Sequence, residues 1–280
     1  MKIYGLQKTT LLDYPEHVAA TVFTGGCNFR CPYCQNGGLV LCPGKYGAVP
    51  EEEVWRHLEK RKGILDGVCI TGGEATLQPD LEAFIRKVKE MGYAVKLDTN
   101  GYRPEVLKRL LEEGLLDYVA MDVKASKENY ARAVGLGKQD TAGGTKLRLA
   151  DEADGDRPAD EAGGDRPEVW AVGRIERDDR GSGVGEFDIG RIETSVDLLK
   201  NSGIPYEFRT TAVKGIHTVE EFERIGEWLR GSRAYFIQNY REEGEILRGE
   251  GLSGFSVEEL REIVRLAGKN VTRVELRGVD

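Results

Sequence analysis

No apolar run in the 280 residues approaches the roughly 20 that a membrane helix needs. The opening Met1-Lys2-Ile3-Tyr4-Gly5 has no apolar signal-peptide core, so the chain is expected in the cytoplasm. A basic excess is also missing. Forty Lys+Arg stand against 48 Asp+Glu, a net charge of −8, which disfavours a nucleic-acid binder with its basic footprint. Neither a Gly-x-y period nor sustained heptads occur, which excludes collagen-like and coiled-coil chains. With three histidines, no Ser/His/Asp or Cys/His arrangement for nucleophilic catalysis can be assembled. Cysteine is scarce too, and its count of five is odd. In a cytosolic setting that argues against a disulfide framework and for metal or redox chemistry.

The acidity is concentrated. Residues 138–188 hold 14 Asp+Glu against 8 Lys+Arg, a local net of −6, and include nine glycines. They also contain a near-tandem repeat, Asp151-Glu152-Ala153-Asp154-Gly155-Asp156-Arg157-Pro158 followed by Asp160-Glu161-Ala162-Gly163-Gly164-Asp165-Arg166-Pro167. Such composition buries too little apolar surface to offset the entropy of ordering. A low-complexity, disordered insert is expected there, with Val169-Trp170-Ala171-Val172 as an alternative partner-docking segment. The remainder fits one domain over residues 1–280.

Outside the insert, short β-branched runs alternate with amphipathic patterns. Strands are expected at Val18–Phe23, Val68–Thr71, Ala94–Asp98, Tyr118–Asp122, Tyr206–Thr210 and Ala234–Gln238, with Thr272–Leu276 as a final addition. Leu81, Phe84, Ile85 and Val88 recur at helical spacing, as do Leu260, Ile263, Val264 and Ala267. Strands separated by helices imply βαβ units and a parallel sheet. Six units suit an α/β fold of the partial (α/β)6 TIM-type barrel class. In such folds ligands bind at the carboxyl ends of the strands, where the unusual polar residues of this chain cluster.

The first of these strands runs into Cys27-Asn28-Phe29-Arg30-Cys31-Pro32-Tyr33-Cys34, a C-x3-C-x2-C spacing tight enough to wrap one metal centre. A structural zinc needs a fourth ligand, for which Cys42 or His57 would have to serve outside any zinc spacing. An iron–sulfur cube takes four cysteines as a rule, so three leave one iron open to a substrate or cofactor. Cys69 lies inside an apolar strand, where a free cysteine acts as a small hydrophobe.

This loop resembles the signature of the radical S-adenosylmethionine (AdoMet) enzymes. Within them the chain looks like the glycyl-radical-enzyme activating proteins, of the pyruvate formate-lyase activating kind. Ile3-Tyr4-Gly5-Leu6-Gln7 and Leu12-Asp13-Tyr14-Pro15 look most like the anaerobic ribonucleoside-triphosphate reductase activating branch. The resemblance covers residues 1–137 and 189–280. It implies a 4Fe–4S cluster on Cys27, Cys31 and Cys34, with AdoMet on the open iron beside Tyr33.

The resemblance also implies roles at the other strand ends. Gly72-Gly73-Glu74, otherwise a turn, matches an element that contacts the methionine amino group. Asp98-Thr99-Asn100-Gly101 and Met121-Asp122-Val123-Lys124 match elements that contact AdoMet and build a monovalent-cation site. By that likeness Asp98, Thr99, Met121 and Asp122 would ligate the cation, while Lys124 would neutralise the AdoMet carboxylate. Asn-Gly is equally a turn signal. His217 would touch the AdoMet ribose or adenine, or simply cap the following helix, and Arg209 would reach the cofactor or a partner backbone. His17 and His57 read as ordinary surface positions.

The implied reaction is reductive cleavage of AdoMet by an electron from flavodoxin or ferredoxin. Hydrogen is then abstracted from a backbone glycine of a partner glycyl-radical enzyme, foremost an anaerobic ribonucleotide reductase. The competing readings are a radical AdoMet enzyme acting on a small molecule or another peptide, and a non-enzymatic iron–sulfur electron-transfer module.

Overall fold

The computed structural model describes residues 1–136 and 187–278. The insert expected at 138–188 lies outside the described residues, except for its last two positions, and these belong to the fold. Phe187 stacks on Tyr102 and Tyr130 at ring-centroid separations of 5.5 and 5.7 Å. The Asp188 carboxylate accepts from Gly190 N–H at 2.9 Å and caps the helix that follows.

Eight strands form one sheet in chain order: β1 (Ile3–Thr10), β2 (Ala19–Thr24), β3 (Gly67–Gly72), β4 (Ala94–Thr99), β5 (Tyr118–Asp122), β6 (Tyr206–Ala212), β7 (Tyr235–Asn239) and β8 (Val274–Arg277). All neighbours from β2 to β8 run parallel, which bears out the partial barrel and its final strand. β1 was not expected from the sequence, and it pairs with β2 antiparallel. Its burial follows no period of two, because Gln7–Thr9 stand at a half-exposed edge, so alternation could not announce it.

The helices are α1 (Gly37–Leu41), α2 (Glu51–Lys60), α3 (Leu81–Glu90), α4 (Pro104–Glu112), α5 (Tyr130–Ala133), α6 (Ile189–Asn201), α7 (Glu221–Trp228) and α8 (Val257–Ala267). In α3 the buried residues are Leu81, Phe84, Ile85 and Val88, the stripe that the 3.6-residue period predicts. α8 opens with a reciprocal capping box between Ser256 and Glu259, and it buries Leu260, Ile263, Leu266 and Ala267. Val264 lies at the margin of that stripe, half-buried.

The two faces of the sheet differ in chemistry. Val68, Ile70, Val95, Leu97 and Val119 are fully buried in the apolar core. The alternate positions carry polar groups that reach across strands. Arg209 of β6 meets Asp98 of β4, and Arg277 of β8 meets Glu207 of β6. Strands two apart lie about 9.6 Å from each other in a flat sheet, so these pairs form on the concave face. Closed barrels fill that space with layers of branched apolar side chains. Here two hydrogen-bonded polar clusters fill it, Cys69–Lys96–Asp98–Arg209–Asp122 and Tyr118–Glu207–Arg277.

Candidate functional site

β2 ends at Thr24, and the Gly25-Gly26 pair carries the chain into the cysteine loop. The parallel pairing continues past both strand ends: Gly73 N–H donates to Thr24 O at 2.9 Å and Glu74 N–H to Gly26 O at 2.8 Å. A Cβ on Gly73 would fall 1.9 Å from Gly26 O. Gly72 has φ +118°, and a Cβ there would meet the Thr24 backbone at 2.3 Å. Close approach therefore requires both glycines, and it fixes the start of the cysteine loop against the end of β3.

The loop is anchored by its own side chains. Phe29 is buried, with its ring edge-on to Tyr102 at 5.4 Å. The Arg30 guanidinium donates to the carbonyls of Cys27 and Phe29. Cys31 is buried, whereas Cys27 and Cys34 are half-buried. Burial pushes all three thiols up, Cys31 to about 11 although the Lys124 ammonium pulls it back. A metal would therefore have to displace protons from them.

Among the described residues no three His, Cys, Asp or Glu side chains converge tightly enough to hold a single metal ion. Three thiols within eight residues of one loop suit a cluster, which takes each cysteine on a separate iron. A second observation supports the fit: Asn28 Nδ2, next to Cys27, is a buried donor with no protein partner. Cys42 is exposed, and Cys69 sits on the concave face with its Sγ 3.6 Å from Lys96 Nζ.

Glu74 is 1% exposed, and its carboxylate is fully engaged by the protein. It accepts from Thr76 N–H and Oγ1 at 3.1 and 2.5 Å, Thr99 Oγ1 at 2.7 Å and Asn100 N–H at 2.7 Å. Burial raises its pKa against the pull of these donors. Its position makes it a brace between the ends of β3 and β4. The Asn100 amide in turn donates to Asn28 Oδ1 at 2.8 Å and lies 3.8 Å from Cys27 Sγ, which ties β4 to the cysteine loop.

Asp98 and Asp122 share a protein cation, Arg209. Arg209 reaches Asp122 through Nε at 2.9 Å and Asp98 through Nη1 at 3.2 Å. Lys96 pairs with Asp98, and Lys124 with Asp122 at 2.9 Å. Burial works to raise the Asp122 carboxyl, yet Arg209 and Lys124 hold it well below the usual carboxylate range. Burial likewise opposes the charges of Arg209 and Lys124, and Asp122 keeps both well above their ordinary values.

Two carboxylates thus share three cations, so a monovalent cation at Asp98, Thr99, Met121 and Asp122 does not fit. The Thr99 hydroxyl donates to Glu74, and the Met121 thioether is buried within 3 Å of where a Gly101 Cβ would stand. Only Asp98 and Asp122 are brought together, through Arg209, and their charge is already balanced by protein cations. Lys96 is the member that sequence reading missed. Its signal was a lysine two positions before Asp98, hence on the same strand face.

His217 lies against the end of β5. It is 5% exposed, and both ring nitrogens are engaged. Nδ1 accepts from Val213 N–H at 3.1 Å, so Nε2 carries the proton and donates to Lys124 O at 2.8 Å. Burial lowers its pKa and keeps it neutral. The ring pins the loop after β6 to the end of β5. Tyr33 is buried beside it, edge-on at 6.3 Å, with its hydroxyl toward Lys124 O. A groove of about 490 Å³ between α4 and α6, lined by residues such as Lys108, Leu111 and Asp197, lies on the outer helical layer and brings none of these groups together.

Residues 21–142 match the Radical SAM superfamily. A Methanocaldococcus jannaschii protein provisionally named glycyl-radical enzyme activating enzyme is 29% identical over 99% of this chain and 96% of its own length. A Thermococcus kodakarensis protein provisionally named GTP 3′,8-cyclase is 32% identical over 40% of this chain, which spans 37% of that relative. Among solved structures, Streptococcus suis SuiB bound to S-adenosylmethionine superposes with a TM-score of 0.59 at 12% identity. That likeness covers 91% of this chain and 49% of SuiB, so this chain spans about half of it and shares its fold.

Proposed function

From a chain that carries a Radical SAM domain, we propose a glycyl-radical-enzyme activating enzyme whose partner is an anaerobic ribonucleotide reductase. The observation that carries the reading is the Cys27–Cys34 loop, held by Gly72-Gly73 at the mouth of a concave face that is polar and cationic. A 4Fe–4S cluster and AdoMet held there would supply the reductive radical chemistry needed to take hydrogen from a glycine Cα.

The chain's own residues position and shield. Cys27, Cys31 and Cys34 would hold three irons of the cluster, which would leave one iron for AdoMet. Lys124 and Arg209 hold one more positive charge, together with Lys96, than Asp98 and Asp122 cancel. That excess favours a carboxylate-bearing ligand such as the methionine end of AdoMet. Glu74 and Asn100 act at one remove by locking the cysteine loop to β3 and β4. No side-chain general base is required, consistent with a neutral His217 whose nitrogens are both occupied. Flavodoxin or ferredoxin is the proposed electron source.

The relationship to the full-length M. jannaschii protein favours this reading, because it extends over nearly the whole of both chains. The GTP 3′,8-cyclase match favours the alternative of a small-molecule substrate, but it covers 40% of this chain. The discriminating test is anaerobic reconstitution, then reduction with AdoMet and a candidate partner, read by electron paramagnetic resonance. A glycine-centred doublet supports the activase. Formation of 5′-deoxyadenosine with no doublet from any partner supports the small-molecule alternative. Absence of both would leave only an electron-transfer module.

A further inference from the structure

The segment after β7 makes a second support for the cysteine loop. Asn239 closes its base: the amide donates to Phe255 O at 3.0 Å and accepts from Phe255 N–H at 2.9 Å. Between these points the chain runs out over the cysteine loop and pairs with it backbone to backbone. Arg248 N–H donates to Pro32 O at 2.8 Å, Leu247 N–H to Cys34 O at 3.3 Å and Glu245 N–H to Gln35 O at 3.1 Å. In return Gly37 N–H donates to Glu245 O at 2.8 Å, and the Gln35 side chain donates to Arg241 O at 3.0 Å.

The Glu245 side chain adds a latch. Its carboxylate pairs with Lys45 at 2.5 Å and accepts from the Tyr46 hydroxyl, both in the turn beyond α1. The fit is close enough to exclude one methyl group. A Cβ on Gly37 would fall 2.3 Å from the Glu245 carbonyl oxygen, and one on Gly38 would fall 2.2 Å from its carboxylate and 2.0 Å from the Tyr46 hydroxyl. Neither glycine has positive φ, so backbone conformation does not demand them. Both open a helix, where alanine is intrinsically preferred by about 1 kcal/mol. Their presence is therefore explained by the segment packed on them.

We propose that residues 241–250 are a strap that positions the Cys31–Cys34 half of the loop, with Gly37, Gly38 and Glu245 as its latch. Cys27 is held from the barrel side by Gly26, Asn100 and Phe29. Cys34 has Leu247 donating to its own carbonyl, so its position depends on the strap. The proposal rests on the functional reading only for what the thiols hold, and the strap itself is testable without it.

The experiment is amide hydrogen exchange on the full-length, iron-free chain, comparing wild type with Gly37→Ala, Glu245→Ala and the control Gly44→Ala. Gly44 faces open space at ordinary φ. Exchange at residues 33–37 and 245–248 is expected to rise at least about tenfold in Gly37→Ala and about threefold in Glu245→Ala, with no change in Gly44→Ala. After reconstitution, chelator-driven loss of cluster absorbance should follow the same order.

Helix propensity alone predicts the opposite for Gly37→Ala, slower exchange. That result, or unchanged exchange in both latch variants, would overturn the strap. Should Gly37→Ala unfold globally, Glu245→Ala decides, because it leaves the loop's own atoms in place. Normal strap behaviour with no AdoMet cleavage would count against the proposed function and leave the strap standing.

Discussion

The two faces of this sheet are built to different rules. On the convex side, aliphatic side chains such as Val68, Ile70, Val95 and Leu97 are sealed beneath amphipathic helices, and their contribution is burial. On the concave side, Lys96, Asp98, Asp122, Lys124 and Arg209 form a chain of charges across β4, β5 and β6 that ends beside the cysteine loop. Buried ion pairs are weak sources of stability compared with apolar packing. Keeping five charged side chains together in four ion pairs points to a ligand-directed role, whereas the convex face accounts for the fold.

Substitutions on the two sides should separate those roles. The largest effect is expected in the loop itself. Cys31→Ala should abolish cluster absorbance and AdoMet cleavage while the melting temperature of the iron-free protein stays near that of wild type. A matching loss of stability would mean the loop is structural. On the convex side, Phe222→Ala deletes a fully buried ring and should cost about 3–5 kcal/mol in denaturant unfolding. The protein that remains folded should still take up iron in full.

A smaller effect is expected from Arg209→Met. Asp98 and Asp122 each keep a lysine partner, so stability should fall by about 2 kcal/mol, below the ordinary cost of breaking a buried pair. AdoMet binding, followed by equilibrium dialysis, should weaken more than stability does. Arg209→Lys should restore little, because one ammonium cannot fork between two strands. An unaltered AdoMet affinity would detach the charge chain from the cofactor.

The smallest effect is pH-dependent. The folded-state pKa of His217 lies below its ordinary value of 6.5, so its contribution is present above that pH. As pH falls, the unfolded chain takes up a proton that the folded ring refuses, and stability declines by at most about 1.4 kcal/mol per pH unit. Unfolding free energies between pH 7 and 5 should fall more steeply for wild type than for His217→Gln. Equal slopes would show that the ring titrates freely.

The parallel strands, the α3 and α8 stripes and the three-thiol loop were legible because each is a local pattern with one physical cause. The partners of those patterns were not. β1 is a half-exposed edge whose burial lacks a two-residue period. Glu74 looked like a ligand group until its four donors came together from Thr76, Thr99 and Asn100, two of them from another strand. Lys96 was visible by strand parity, since it shares a face with Asp98. Which atoms the nitrogens of His217 meet depends on Val213 and the distant Lys124 carbonyl. The strap was hidden for the same reason, because its pairing with Pro32–Gly37 spans some 200 residues of sequence.

The most direct test of the account is the yield of 5′-deoxyadenosine when the anaerobically reconstituted, reduced protein meets AdoMet. The wild type is predicted to form it and Cys31→Ala to form none. A wild type that carries the reduced cluster and still leaves AdoMet intact would contradict the assignment of this site.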